Sequence, residues 1–182
     1  MPTSMEEGKW MTQNWLYDLQ PTSVLDVGPG DGTYARRMRI ATPPGCSWAA
    51  VEIYAPYVQR YGLHQYYDAV YVDDIREWSP ESFEEEDVVL FGDVLEHMEK
   101  TEALYVLGAA KAHARAIMVS IPIIHAPQGM VEGNVHETHV YHWDFYEMLD
   151  AIGPCAYHHG EVLGIYWWEA DAYGRDAKWA DA

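Results

Sequence analysis

The sequence predicts an α/β fold, a doubly wound and mostly parallel sheet with helices on both faces. Three observations lead there. Short apolar runs alternate with helix-period segments along most of the chain, and such alternation implies right-handed βαβ crossovers. The first apolar run passes straight into a glycine-cornered turn, Gly28-Pro-Gly-Asp-Gly32, and then into a helix. The pattern closes on two β-like runs only a few residues apart, a hairpin, which brings the predicted strands to seven. At 182 residues the chain has the size of one domain, 1–182, long enough to bury a single substantial core.

Taken in order, Ser4-Met-Glu-Glu7 has the spacing of a capping box, and Trp10, Met11, Trp15, Leu16 and Leu19 follow at helical intervals. Residues 1–20 therefore read as a lead-in helix that stops before Pro21 and covers one side of the site. Val24, Leu25 and Val27 suit a buried parallel strand, and Gly28, Gly30 and Gly32 permit positive φ and close backbone approach where the chain reverses. A helix from Tyr34 to Ile40 and the turn Thr42-Pro-Pro-Gly45 lead to the second strand, Trp48 to Ile53, which ends in an acid. Pro56 opens a short helix. Asp68 to Val72 and Asp87 to Phe91 are the third and fourth strands, Thr101 to His113 is an amphipathic helix, and Ala116 to Ile121 is the fifth strand. A helix from Trp143 to Ile152 is stopped by Gly153-Pro154. Cys155 to His159 and Val162 to Trp168 form the hairpin, and 170–182 is a loose acidic tail.

Composition removes several classes of function. Eleven Lys+Arg against 29 Asp+Glu leave a formal charge of -18, which works against holding a phosphate backbone and so against a nucleic-acid partner. The one basic cluster, Arg36-Arg37-Met-Arg39, reads as a solvated helix face. Eight Trp and fourteen Tyr against three Phe favour rings with a polar edge, as in ligand pockets. The apolar run Ile117 to Ile124 is interrupted by Ser120 and Pro122 and is too short for a span of about 18 residues, so no membrane partner is expected. Cys46 and Cys155 are far apart, with no CxxC and no secretory leader before them, which points to a reducing, cytoplasmic setting.

The glycine turn carries the chemistry. Bare N–H groups at a helix start favour an anion, yet Asp26 and Asp31 flank this one and would repel a pyrophosphate. The spacing is GxGxG where the dinucleotide fingerprint is GxGxxG, so charge and spacing both turn away from a nicotinamide cofactor and toward a cationic or zwitterionic ligand. Glu52 ends the second strand about twenty residues on, where a carboxylate can accept both hydroxyls of a ribose.

Asp26-Val-Gly-Pro-Gly-Asp-Gly32 closely resembles the first motif of class I S-adenosylmethionine-dependent methyltransferases, an acid two positions before three alternating glycines. The resemblance runs from about Val24 to Ser120 and faintly beyond. It implies a Rossmann-like methyltransferase sheet whose last strand inserts antiparallel, and S-adenosyl-L-methionine as cofactor. The implied cofactor contacts are Asp26, Gly28, Gly30, Asp31, Gly32, Glu52 and Ile53. After the third strand, Asp74 accepts from the adenine amino group and Ile75 offers its backbone N–H, with Asp73 as the competing acid. Val88-Val-Leu-Phe-Gly-Asp-Val-Leu-Glu-His97 matches the fourth-strand motif, which makes Gly92 and Asp93 contacts to the methionine end. That segment lacks the Asp/Asn-Pro-Pro-aromatic signature of amino-methylating DNA enzymes and looks like the small-molecule branch.

Methyl transfer from a sulfonium is an in-line displacement, so most of the catalysis comes from alignment. An acceptor hydroxyl or protonated amine needs a base, and His97 is the first candidate. The long connection Pro122 to His142 closes over the acceptor and supplies His139, with Glu137 and Trp143 as further acceptor contacts. His136, His139 and His142 fall three apart beside Glu137, a set able to bind a divalent metal, but on a helix they fan out around the axis and on a strand they alternate faces, so no metal is expected. The expected activity is methyl transfer to a hydroxyl, amine or carbon of a small molecule, with homodimerisation left open. A non-catalytic cofactor-binding partner subunit and a methyltransferase acting on a macromolecule are the alternatives.

Overall fold

A computed structural model describes residues 5–83 and 86–173. The elements follow in the order α1 (Lys9–Leu19), β1 (Ser23–Val27), α2 (Thr33–Met38), β2 (Ser47–Val51), α3 (Ala55–Arg60), β3 (Ala69–Tyr71), β4 (Val88–Gly92), α4 (Lys100–His113), β5 (Ala116–Pro122), α5 (Phe145–Ile152), β6 (Ala156–His159), β7 (Leu163–Glu169) and α6 (Ala170–Tyr173). Among the described residues the strands form one seven-stranded sheet in the order β3-β2-β1-β4-β5-β7-β6. β1 to β5 pair in parallel, and β7 runs antiparallel to both β5 and β6. The expected insertion of the last strand is thus observed.

Helices cover both faces, which is why β1, β4, β5 and β7 read as near-continuous apolar runs rather than alternating ones. Leu25, Val27, Val89 and Phe91 pack with Val106 and Leu107 of α4 and Met148 and Ile152 of α5. Val24, Val88 and Leu90 pack on the other face with Leu16 of α1, Met38 of α2 and Val58 of α3. The register aligns Val27 with Val51 and with Phe91, and Gly92 with Ser120, so the residues that follow β1, β2 and β4 emerge side by side at one edge.

Three element ends differ from expectation for identifiable reasons. α1 starts at Lys9 behind Gly8, which has φ 68° and no side-chain cap. Ser4, half of the expected capping box, lies outside the described residues, and Glu7 is engaged elsewhere: its carboxylate accepts from the backbone N–H groups of Glu161, Val162 and Leu163 at 2.7, 3.0 and 2.7 Å. α5 starts at Phe145 rather than Trp143 because Asp144 caps it, accepting from the Glu147 N–H at 2.9 Å. β2 stops at Val51, leaving Glu52 and Ile53 just past its end. The expected loose tail begins with the short α6, and 174–182 lies outside the described residues. No helix among the described residues is long and apolar enough to cross a membrane.

Candidate functional site

A cavity of about 320 Å3 opens at the carboxyl ends of β1, β2 and β4, where a parallel sheet of this kind presents its ligands. Gly28, Gly30, Asp31, Glu52, Ile53, Asp74, Ile75, Gly92, Asp93, His97 and His139 all line it. Of the nominated cofactor contacts, Asp26 and Gly32 stand behind the wall. Gly28, Gly30 and Gly32 have φ of 63°, 54° and 77°, the left-handed region that glycine enters at little cost. A Cβ on Gly28 would lie 2.5 Å from the Val94 side chain, and one on Gly92 would lie 2.2 Å from the Tyr34 ring. The turn and the β4 end are therefore shaped by backbone, not by side chains.

Asp26 is 1% exposed. Its Oδ2 accepts from the Tyr67 hydroxyl at 2.5 Å, while Oδ1 has no hydrogen-bond partner among the described residues. Burial pushes this carboxyl up to about 7, against the pull of the Tyr67 hydrogen bond and of the Lys9 ammonium. Lys9, on α1, is itself buried, with Nζ 4.4 Å from the Tyr34 ring centroid, and burial lowers its pKa. Asp31 proves to be a local cap: its Oδ1 accepts from the Thr33 N–H and hydroxyl, and Oδ2 from Arg36 at 2.8 Å.

Glu52 is 3% exposed, and its Oε1 accepts from the Tyr54 N–H at 2.8 Å. Burial pushes it up to about 7, opposed by the Tyr54 and Gly30 N–H groups and reinforced by the charges of Glu137 and Asp26. Asp74 is committed to Arg76, whose side chain and backbone hydrogen bonds hold its carboxyl low. Asp73 accepts from the Asp74 N–H at 2.9 Å and from the Trp78 indole at 3.0 Å, so both candidate acids already have partners on this chain.

The other end of the cavity is assembled from distant segments. Asp93, at φ 57°, donates its N–H to the Ser120 carbonyl and accepts from the Ser120 hydroxyl at 2.7 Å. The connection between β5 and α5 folds back over β4: the N–H groups of Val140 and Tyr141 both donate to the Glu96 carbonyl, at 2.8 and 3.0 Å. This brings His139 against His97, with ring centroids 4.9 Å apart in an edge-to-face arrangement. His97 Nδ1 lies 3.1 Å from the Thr138 carbonyl and His139 Nδ1 2.5 Å from the Ala126 carbonyl. A carbonyl only accepts, so each ring carries its proton on Nδ1 and leaves a lone pair on Nε2. Burial pushes His97 down to about 4, so the ring is neutral near pH 7.

The histidine triplet does not assemble. His142 packs edge-to-face on His125 at 5.5 Å, and His136 lies on the cavity wall beside Glu137, in the turn capped by Asn134. Trp143 is buried in the core, its indole donating toward the Leu95 carbonyl, so it makes no wall of the cavity. Sequence reasoning missed Lys9, Tyr67 and Glu96. Glu96 stood beside His97 within a recognised motif, a signal that was available; Lys9 and Tyr67 act on Asp26, behind the cavity wall, only through tertiary packing.

No protein-family model and no curated protein sequence matches the chain. Solved structures do. The N-terminal domain of EvdMO1 with SAH bound superposes with a TM-score of 0.62 at 12% identity, over 90% of this chain and 80% of that one. The Burkholderia thailandensis 1,6-didemethyltoxoflavin-N1-methyltransferase, with S-adenosylhomocysteine and its substrate bound, gives 0.58 at 16% identity, over 89% and 77%. The small RNA methyltransferase HEN1 gives 0.68 at 15% identity, over 93% of this chain and 26% of that chain. Strand order, the antiparallel last strand and these superpositions agree: the chain has the class I methyltransferase fold.

Proposed function

We propose that this protein is an enzyme that transfers a methyl group from S-adenosyl-L-methionine to a small-molecule acceptor, in the cytoplasm. One observation carries the proposal: a glycine turn with three positive-φ residues and a buried, otherwise weakly partnered Glu52 share one cavity at the open end of the sheet. The residues fit the donor. The turn lets backbone approach an adenosyl amino acid, the Glu52 carboxylate suits the two ribose hydroxyls, and Ile53 and Ile75 supply apolar wall for the base. The adenine amino group falls to Asp74 or to its neighbour Asp73, whose carboxylates are already polarised by Arg76 and Trp78. Gly92, kept open beside Tyr34, leaves room for the methionine end, and Asp93 and Asp26 favour its ammonium.

When bound, the donor supplies an electrophilic methyl on a sulfonium. What this chain contributes is alignment and exclusion of water. The connection 123–144 forms one wall through Ala126, Gln128, Asn134 and His139, and His97 and His139 direct their Nε2 lone pairs at whatever acceptor group enters. A small acceptor agrees with a cavity of this size, with the charge of -18 and with the small-molecule substrate named for the toxoflavin enzyme. Both cysteines are free, as a reducing compartment would have them.

The test is incubation with methyl-labelled donor and a metabolite extract, followed by fractionation. Label is expected in a small-molecule fraction. Label only in protein or RNA overturns the acceptor class, and donor binding without any labelled product favours a non-catalytic subunit.

A further inference from the structure

We infer that Glu96, His97 and His139 bind a divalent cation of the borderline class, such as Mn2+, Fe2+, Co2+ or Zn2+, at the acceptor end of the cavity. One ligand atom from each of the three lies within 4.8 Å of the others. Ligands about 2.1 Å from a metal stand about 3.4 Å apart when tetrahedral, so side-chain adjustment alone closes the set. The two rings are already oriented as metal ligands are: each Nδ1–H is spent on a backbone carbonyl, of Thr138 and of Ala126, which fixes the tautomer and leaves Nε2 as the donor atom. The second, independent observation is Glu96. It is 3% exposed, lines the cavity, and its Oε2 has no hydrogen-bond partner among the described residues. A carboxylate desolvated in this way calls for a cation. Asp93 adds a second carboxylate whose charge acts on Glu96, His97 and His139 alike.

Two imidazoles and one carboxylate select a borderline transition metal over Mg2+ or Ca2+, which prefer all-oxygen sets. Three protein ligands leave positions open, and they open into the cavity. The consequence for chemistry rests on the methyl-transfer reading. An acceptor hydroxyl that takes an open position is acidified and loses its proton to water. Its oxygen lone pair then forms the O–C bond as the C–S bond breaks, and that electron pair stays on sulfur. The cation thus does the work of a base at this end of the cavity, and the acceptor class narrows to hydroxyl compounds.

The experiment uses chelator-treated full-length protein titrated with Co2+ and, separately, with Mn2+, and then with S-adenosylhomocysteine in the absence of metal. One equivalent of Co2+ per chain with visible d–d absorption is expected, and His139→Ala and Glu96→Gln should each weaken it by about 10- to 100-fold. If either variant fails to fold, Mn2+ broadening of the His97 and His139 ring signals in the wild-type protein decides instead. Substoichiometric Co2+, equal binding by both folded variants, or unbroadened ring signals overturn the site. Binding of S-adenosylhomocysteine is independent of these outcomes, so failure of the metal site and failure of the donor reading are separately visible.

Discussion

The two ends of the cavity are built differently. The end proposed for the donor is local: Gly28 to Gly32 shape it by backbone conformation, and Glu52 follows just past the end of the neighbouring strand, placed by the Val27 to Val51 register. The end proposed for the acceptor is remote: His97 owes its orientation to the Thr138 carbonyl, His139 to Ala126, and both to a connection anchored by two N–H groups on the Glu96 carbonyl. A site made of backbone torsions survives as a motif, whereas one made of long-range hydrogen bonds leaves scattered residues.

The largest expected effect strikes the local end. Gly28→Val forces a side chain into a φ of 63° and into Val94, and Gly30→Val does the same to the torsion at 54°. Each should weaken S-adenosylhomocysteine binding by about 100-fold or more, as read by calorimetry. Affinity unchanged in both variants removes the turn from the donor site. The matching change at the remote end, His97→Ala, should slow turnover while donor affinity stays within about threefold of wild type. Collapse of both would mean that the two ends are one packing unit.

Glu52 gives a smaller and pH-dependent effect. Its folded pKa of about 7 lies above the unfolded value of 4.5, so the stability it contributes is complete below about pH 4.5 and is lost as pH rises through 7. Glu52→Gln should therefore raise the melting temperature of the ligand-free protein at about pH 8 and leave it nearly unchanged at about pH 5, while lowering donor affinity about tenfold. The diagnostic is the difference between variant and wild type, because depressed histidines such as His97 move total stability in the opposite sense. An equal shift at both pH values would show that Glu52 is ionised throughout.

Tyr67→Phe comes next. It strips Asp26 of the one hydroxyl that partners Oδ2 and leaves both carboxylate oxygens bare in the core. About 1–3 kcal/mol of stability should be lost in denaturant titration. No loss would mean that Asp26 is protonated and finds another acceptor.

Legibility in the sequence followed the same division. The strands of the sheet were readable because burial on both faces makes runs such as Val88-Val-Leu-Phe91 continuous, and the glycine turn because its torsions demand glycine. Asp31, which the sequence offers as a ligand contact, lines the cavity and also bonds Thr33 and Arg36; side-chain hydrogen bonds two to five residues away compete with any ligand, and spacing does not rank them. Trp143 looked like an acceptor contact but is buried in the core, ahead of a helix that starts two residues later than expected. The pairing of Glu96 and His97 with His139 is made across α4, β5 and the connection that follows β5, and had no periodicity to announce it.

The smallest expected effect belongs to Glu7. Its carboxyl is held below the usual range by three N–H groups from the β6–β7 turn, so the contribution is present above about pH 4.5 and fades as acid protonates it. Glu7→Gln should speed amide exchange at 161–163 with little change in melting temperature; unaltered exchange would show that the turn holds itself.

That clamp also orders events in time. Because Glu7 accepts from the N–H groups of residues 161–163, the stretch leading into α1 cannot be pinned down before the β6–β7 turn has left the ribosome. The segment ahead of the sheet therefore settles after the strands behind it have paired, bringing Met5 to the cavity and Lys9 over the Tyr34 ring.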